Sequence, residues 1–254
     1  MYRPRVIPIL LLKGQGLVKS IKFKDYRYIG DPINAVKIFN DLKADELVFL
    51  DILASKEKRT ISLDFVRNVG DEANMSFAVG GGIKTIQHIK DIINAGAEKV
   101  IINSYAVENP DFIKEASDIF GSSTIVVSID VKKNFLGKEQ IYIFGGSKST
   151  GLDPVTFAKL MYEKGAGELI INSISQDGMM AGYDIDLVEK IAKSIHIPVV
   201  AAGGAGNLED MTKVLNSTYA SAVGAGSMFV YHGSRKAVLV NYPSQQQLLA
   251  LIKE

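Results

Sequence analysis

The sequence predicts an α/β protein: a (β/α)8 barrel of the TIM type with a two-fold internal repeat. Three observations point there. Short apolar, β-rich runs alternate with amphipathic helical stretches eight times along the chain. No linker or shift in composition divides the 254 residues. The stretch 31–52 (DPINAVKIFNDLKADELVFLDI) also aligns without a gap on 153–174 (DPVTFAKLMYEKGAGELIINSI). Asp31/Asp153, Pro32/Pro154, Lys37/Lys159, Ala44/Ala166 and Glu46/Glu168 are identical, and at the same offset Gly81-Gly82 falls on Gly203-Gly204. Eight β/α units favour a closed parallel barrel over an open sheet. The repeat makes 1–254 a single domain of two half-barrels, about 1–122 and 123–254.

The expected strands are 5–12, 46–52, 76–79, 99–103, 124–130, 168–173, 198–202 and 221–225. The expected helices are 32–43, 61–73, 86–95, 110–120, 154–164, 185–194, 208–216 and 244–252. Asp31-Pro32, Asn109-Pro110 and Asp153-Pro154 each read as an N-cap followed by a first-turn proline. Two connections are long, 13–30 and 131–151, and they hold equivalent places in the two halves. They leave the C-terminal ends of strands, where barrels of this kind carry their sites, so they read as lids. Lys132, Lys133, Lys138 and Lys148 in the second could draw in an anion or simply be solvated.

Bulk properties exclude several classes. A net charge of +1 gives no reason to expect nucleic acid or a membrane surface as partner. The chain has no cysteine, so disulfides and thiolate metal sites are excluded. His88, His196 and His232 have no ligand spacing; they read as surface or satisfied residues, and no metal or other cofactor is expected. The apolar run 6–12 is too short to span a bilayer and ends at Lys13, which leaves a cytoplasmic location as the expectation.

Chemistry is expected at the strand ends. VVSIDVKK (126–133) is a buried strand ending in Asp130, a candidate general acid or base. The segment of the same shape in the first half, VIPILLLK (6–13), has Leu11 in that place. Asp51 is a weaker candidate, and Asp177-Gly178 is either a plain turn or a turn facing the mouth. VGGGI (79–83) and AGGAG (202–206) follow apolar strands, and glycine there lets backbone N–H groups face a phosphate. Each is followed one unit later by a small polar strand end, Asn103-Ser104 or Gly226-Ser227. Two cradles, one per half, fit a small molecule with two phosphates. At the opposite strand ends Arg5, Glu46, Lys99 and Glu168 could close a ring of charge, or merely flank their strands.

Together these residues resemble the HisF family, the cyclase subunit of imidazole glycerol phosphate synthase in histidine biosynthesis. DELVFLDI, VGGGI, EKVIIN, AVENP, VVSID, TGLDP, GAGELII, SISQDG, GYD and AAGGAG carry the resemblance over nearly the whole chain. It implies a glutaminase subunit (HisH-like) docked on the N-terminal barrel face. Ammonia then passes through the barrel to a two-phosphate aminoimidazole-carboxamide ribonucleotide. By position, Gly82, Asn103 and Ser104 match one family phosphate site, and Asp177, Gly178, Gly204, Gly226 and Ser227 match the other. Arg5, Glu46, Lys99 and Glu168 match the charged gate at the ammonia entrance, and Lys19 matches a lysine of the mobile first loop.

Asp130 matches one of two catalytic aspartates, and the other falls on Leu11. Losing a positioned acid or base costs roughly 10²–10⁴ in rate. Ser175, Met179 and Asn172 are further departures at the second phosphate site. ILLLK, KSIKFKDYRYIGDPINAVKIFN, IDVKKN and AVLVNYPS resemble a branch associated with acetamidino modification of surface-polysaccharide sugars. That branch implies a further partner, an ATP-dependent sugar amidotransferase that receives the ammonia. The alternatives are a histidine-pathway cyclase whose missing carboxylate is supplied by a group such as Asp51 or by water, and a non-catalytic gating scaffold.

Overall fold

A computed structural model of the chain describes residues 3–233 and 235–251. Eight strands run parallel in one closed ring: β1 (Arg5–Lys13), β2 (Glu46–Asp51), β3 (Ser76–Gly80), β4 (Lys99–Ile102), β5 (Ile125–Lys133), β6 (Glu168–Ser173), β7 (Val199–Ala202) and β8 (Ala222–Ala225). Each pairs with the next, β8 returns to β1, and Arg5 to Pro8 register with Ala222 to Ala225. Strands β1 and β5 therefore stand on opposite sides of the barrel.

The two-residue period of the strands sorts the side chains. Along β1, Val6, Leu10 and Leu12 turn outward into a continuous apolar shell shared with the helices. The intervening Ile7 turns inward. Ile7, Val48, Ala78, Ile101, Val126, Ile170, Val200 and Ala222, one residue from each strand, fill the barrel axis. The helices α1 (Pro32–Asp41), α2 (Leu63–Glu72), α3 (Ile86–Asn94), α4 (Asp111–Phe120), α5 (Pro154–Glu163), α6 (Ile185–Ala192) and α7 (Leu208–Ser217) cover the outside. A short α8 (Gln245–Leu249) ends the described chain. Val36 and Phe39 of α1 are fully buried, worth about 1.5–3 kcal/mol each. Among the described residues no helix is long and apolar enough to cross a membrane.

The caps at Asp31 and Asp153 are as expected: each side chain accepts from the backbone N–H three residues on, at Asn34 and Thr156. The third expected cap is not formed. Pro110 itself occupies the cap position with helical dihedrals, and Asn109 makes no side-chain cap. The helix expected over 61–73 is shorter, because the Ser62 hydroxyl accepts from the N–H of Phe65 and sets the start there. The expected end of the last helix at 252 lies outside the described residues.

The two long connections are hairpins rather than open loops. After a turn at Gly14, where φ is +65°, strand Gly16–Ile21 folds back on β1 and pairs with Lys24–Gly30. In the other half, Glu139–Ile143 folds back on β5, so that Asp130 registers with Tyr142. The histidines also need correction: His196 and His232 are exposed, but His88 is only partly so, and its buried Nδ1 has no hydrogen-bond partner among the described residues.

Candidate functional site

A cavity of about 550 Å³ opens at the C-terminal ends of the strands. Leu11, Asp130 and Lys19 line it, with Gly82, Asn103 and Ser104 of one cradle and Asp177, Gly178, Gly204, Gly226 and Ser227 of the other; Val79, Gly206, Ser175 and Met179 do not. The inward period of β1, through Arg5, Ile7 and Ile9, brings Leu11 to this level. The matching period of β5, through Val126 and Ser128, brings Asp130 there. One wall of the cavity is thus aliphatic, and the wall across from it carries the carboxylate.

Asp130 is buried, and two carboxamides hold it. Asn103 Nδ2 donates to one oxygen at 3.1 Å, and Asn172 Nδ2 donates to the other at 3.2 Å. Burial pushes its pKa up to about 7, with Asp177 adding to the rise and the two amides opposing it. A carboxyl group poised there can both give and take a proton near neutrality.

The first cradle combines Gly82 with Asn103 and Ser104. At Gly82 φ is +67°, and an added Cβ would strike the carbonyl oxygen of Arg59, so only glycine fits. The Ser104 hydroxyl donates to Asn103 at 3.2 Å and accepts from the N–H of Phe144 at 3.0 Å, which ties the second hairpin to the cradle. The second cradle is built from the loops after β6, β7 and β8. An added Cβ at Gly204 would strike the carbonyl oxygen of Gly182, and one at Gly178 would strike that of Ser20. Gly226 lies against the Lys19 ammonium.

At the far end of the barrel the four charges form a closed cycle. Arg5 pairs with both Glu46 and Glu168, and Lys99 reaches Glu46 at 3.0 Å and Glu168 at 3.1 Å. The glutamate side chains are only 4% and 8% exposed. Burial works against the Arg5 charge, but Glu168 and Glu46 outweigh it and hold its pKa above the ordinary value. The apolar layer of Ile7 and its neighbours separates this cycle from the cavity above.

A family model described as histidine biosynthesis protein matches residues 5–236. The chain belongs to that family. Its relatives include proteins named as the HisF subunit of imidazole glycerol phosphate synthase. One from Pseudomonas aeruginosa, provisionally so named, is 44% identical over 98% of this chain and 99% of its own length. One from Leptospira interrogans, also provisionally named, is 43% identical over 99% of both chains. One from Nostoc sp., named without that qualification, is 41% identical over 98% of this chain and 97% of its own. Overall similarity therefore does not separate the two kinds of name, and any distinction has to come from the cavity.

Within this HisF-family cavity the first hairpin takes a larger part than its sequence announces. Lys19 and Ser20 are buried rather than exposed. Lys19 donates to the carbonyl oxygen of Ile9 at 2.5 Å, and burial lowers its pKa to about 8 despite the nearby Asp177. Ser20 Oγ donates to Asp177 Oδ2 at 2.7 Å, and the N–H of Lys22 donates to the Asp177 carbonyl oxygen at 2.9 Å. Asp177 is thus the post to which the hairpin is fastened. Burial raises its pKa, against the hydrogen bond from Ser20 and the charge of Lys19.

Two expectations change. Asp51 lines the cavity but is committed: it accepts from Arg59 and from the N–H groups of Leu53 and Ala54. A carboxylate held that way is a poor substitute for an acid at Leu11. Lys132, Lys133, Lys138 and Lys148 do not line the cavity; the lysines that do are Lys19, Lys58 and Lys84. Ser20 and Arg59 went unnoticed in the sequence, because a lone serine and a loop arginine carry no spacing signal.

Proposed function

We propose that this protein is the HisF-like synthase subunit of a glutamine-dependent amidotransferase complex. A HisH-like glutaminase docks at the N-terminal face of the barrel, and the cycle of Arg5, Glu46, Lys99 and Glu168 gates ammonia into its axis. The nitrogen is destined for acetamidino modification of a surface-polysaccharide sugar, through a separate ATP-dependent amidotransferase. The protein works in the cytoplasm. The observation that carries this reading is Leu11. It lines the cavity on the strand opposite Asp130, so the site has one proton-transferring carboxylate where cyclisation uses two.

A second reading has its own support. Asp130 titrates near neutrality, and the Nostoc relative is named as an imidazole glycerol phosphate synthase subunit without qualification. On that reading the protein is the cyclase itself, and a group other than a carboxylate at position 11 supplies the second proton transfer.

The two readings are separated by turnover of the histidine-pathway substrate at high ammonium concentration without glutaminase, for the wild type and Leu11→Asp. An inactive wild type with an active Leu11→Asp supports the first reading. A wild type that turns over defeats it in favour of the second. Stimulation of a HisH-type glutaminase on mixing tests the ammonia-passing role common to both, and Lys99→Glu should abolish that coupling.

A further inference from the structure

A smaller cavity of about 140 Å³ lies behind the second cradle. It shares Lys19, Ser20, Gly178 and Ser227 with the main cavity, so the two spaces adjoin. Its other walls are Ile21, Asp25 and Arg27 from the first hairpin, and Tyr231 and Lys236 from the segment after β8. The lining holds three cations against a single carboxylate. Among the described residues neither Arg27 nor Lys236 is in an ion pair, whereas Lys19 donates to a carbonyl oxygen and has the Asp177 carboxyl group nearby.

The Arg27 guanidinium sits 5.7 Å from the centre of the Tyr231 ring, within reach of a cation–π contact. Lys236 sits in the turn between strands Tyr231–His232 and Ala237–Val238, with φ at +50° and its N–H donating to the Gly233 carbonyl oxygen at 3.0 Å. Unpaired cations converging on one small space repel each other, and an anion relieves that repulsion.

We propose that this annex is a second anion subsite, so that the cradle at Gly204, Gly226 and Ser227 receives a diphosphate group rather than a single phosphate. One phosphoryl group rests on the glycine cradle. The next enters the annex between Arg27 and Lys236, with Lys19 and Ser227 touching both. The inference rests on reading the glycine cradle as a phosphate site, and it names the ligand class as an organic diphosphate.

The test is calorimetric titration of the full chain with inorganic pyrophosphate and with orthophosphate, in metal-free buffer at physiological salt. Pyrophosphate should bind tighter by about tenfold or more, the worth of a charge-assisted hydrogen bond. Arg27→Gln and Lys236→Gln should each shrink that preference, and together abolish it, with orthophosphate affinity unchanged. Both side chains are exposed, so folding should survive, and a thermal melt checks this. Lys132→Gln with Lys138→Gln, on the other hairpin, should leave the preference intact.

Equal binding of the two anions by the wild type overturns the inference. So does a preference that persists in the Arg27→Gln, Lys236→Gln pair, or one lost equally in the Lys132→Gln, Lys138→Gln pair, which would mark general attraction to a basic face. If neither anion binds, the phosphate-cradle reading fails and the inference fails with it. Glutaminase coupling through the opposite face is a separate readout that none of these variants should move.

Discussion

Asn172 on β6 donates its side-chain amide to Asp130 on β5 at 3.2 Å, and the two residues stand in register on adjacent strands. The contact opposes the effect of burial on the carboxylate. Asn172→Leu should therefore raise the Asp130 pKa further above about 7, by roughly one unit for a charge-assisted hydrogen bond. Carbon-detected NMR titration of the carboxyl group reads the shift directly. An unchanged midpoint would mean that Asn103 alone supports the charge.

Two buried groups make the stability depend on pH in opposite senses. Asp130 is raised from 3.8 to about 7, so the folded state binds the extra proton between those values. Its contribution to stability is present at low pH and is lost as pH rises through about 7. Lys19 is lowered from 10.5 to about 8, so the unfolded state holds the extra proton in that window, and stability rises from about 8 toward 10.5. The pair weakens the fold most between about 7 and 8. Asp130→Asn combined with Lys19→Met should be more stable than the wild type near pH 7.5, and less so at pH 5 and 9.5. Urea unfolding at the three values checks this, and a pH-independent difference would remove Asp130 and Lys19 as its source.

The four-charge cycle makes a contrast of its own. Lys99→Met leaves two buried glutamates sharing one guanidinium and should destabilise the protein by about 3 kcal/mol. Replacing all four members by apolar residues of similar size should recover most of that loss, because desolvating the charges is itself costly. Denaturant midpoints for the single and quadruple variants give the comparison. Recovery would mean that the cycle is kept for something other than stability.

Ser20→Ala removes the side-chain half of the fastening between the first hairpin and Asp177, worth about 1 kcal/mol. Trypsin cleavage after Lys22 and Lys24 should then quicken by about fivefold. An unchanged rate would assign the fastening to the backbone N–H groups of Lys22 and Phe23, which also donate to Asp177.

The barrel was readable because its periodicities are strong and its sequence repeats. β1 and β5 alternate inward and outward residues, and Asp31 and Asp153 punctuate both halves in the same way. The strand-end positions of Asp130, Gly82 and Gly204 were readable for the same reason. What stayed hidden depends on the path of the hairpins. Nothing in KSIKFKDYRYIG says that Lys19 and Ser20 are buried while Tyr28 is exposed, because that follows from docking on Asp177. The commitment of Asp51 to Arg59 likewise needs the fold, since an intervening turn brings the pair together.

On the function proposed above, the aliphatic layer from Ile7 to Ala222 would admit only an uncharged molecule. A cationic ammonium entering it would lose its hydration with no partner to replace it, at a cost far beyond thermal energy. On that function, nitrogen crosses this layer only as the neutral molecule. It arrives at the upper cavity with its lone pair free. A relay that delivers an uncharged nucleophile has one less proton to remove at its far end, and a leucine at position 11 is compatible with that simpler task.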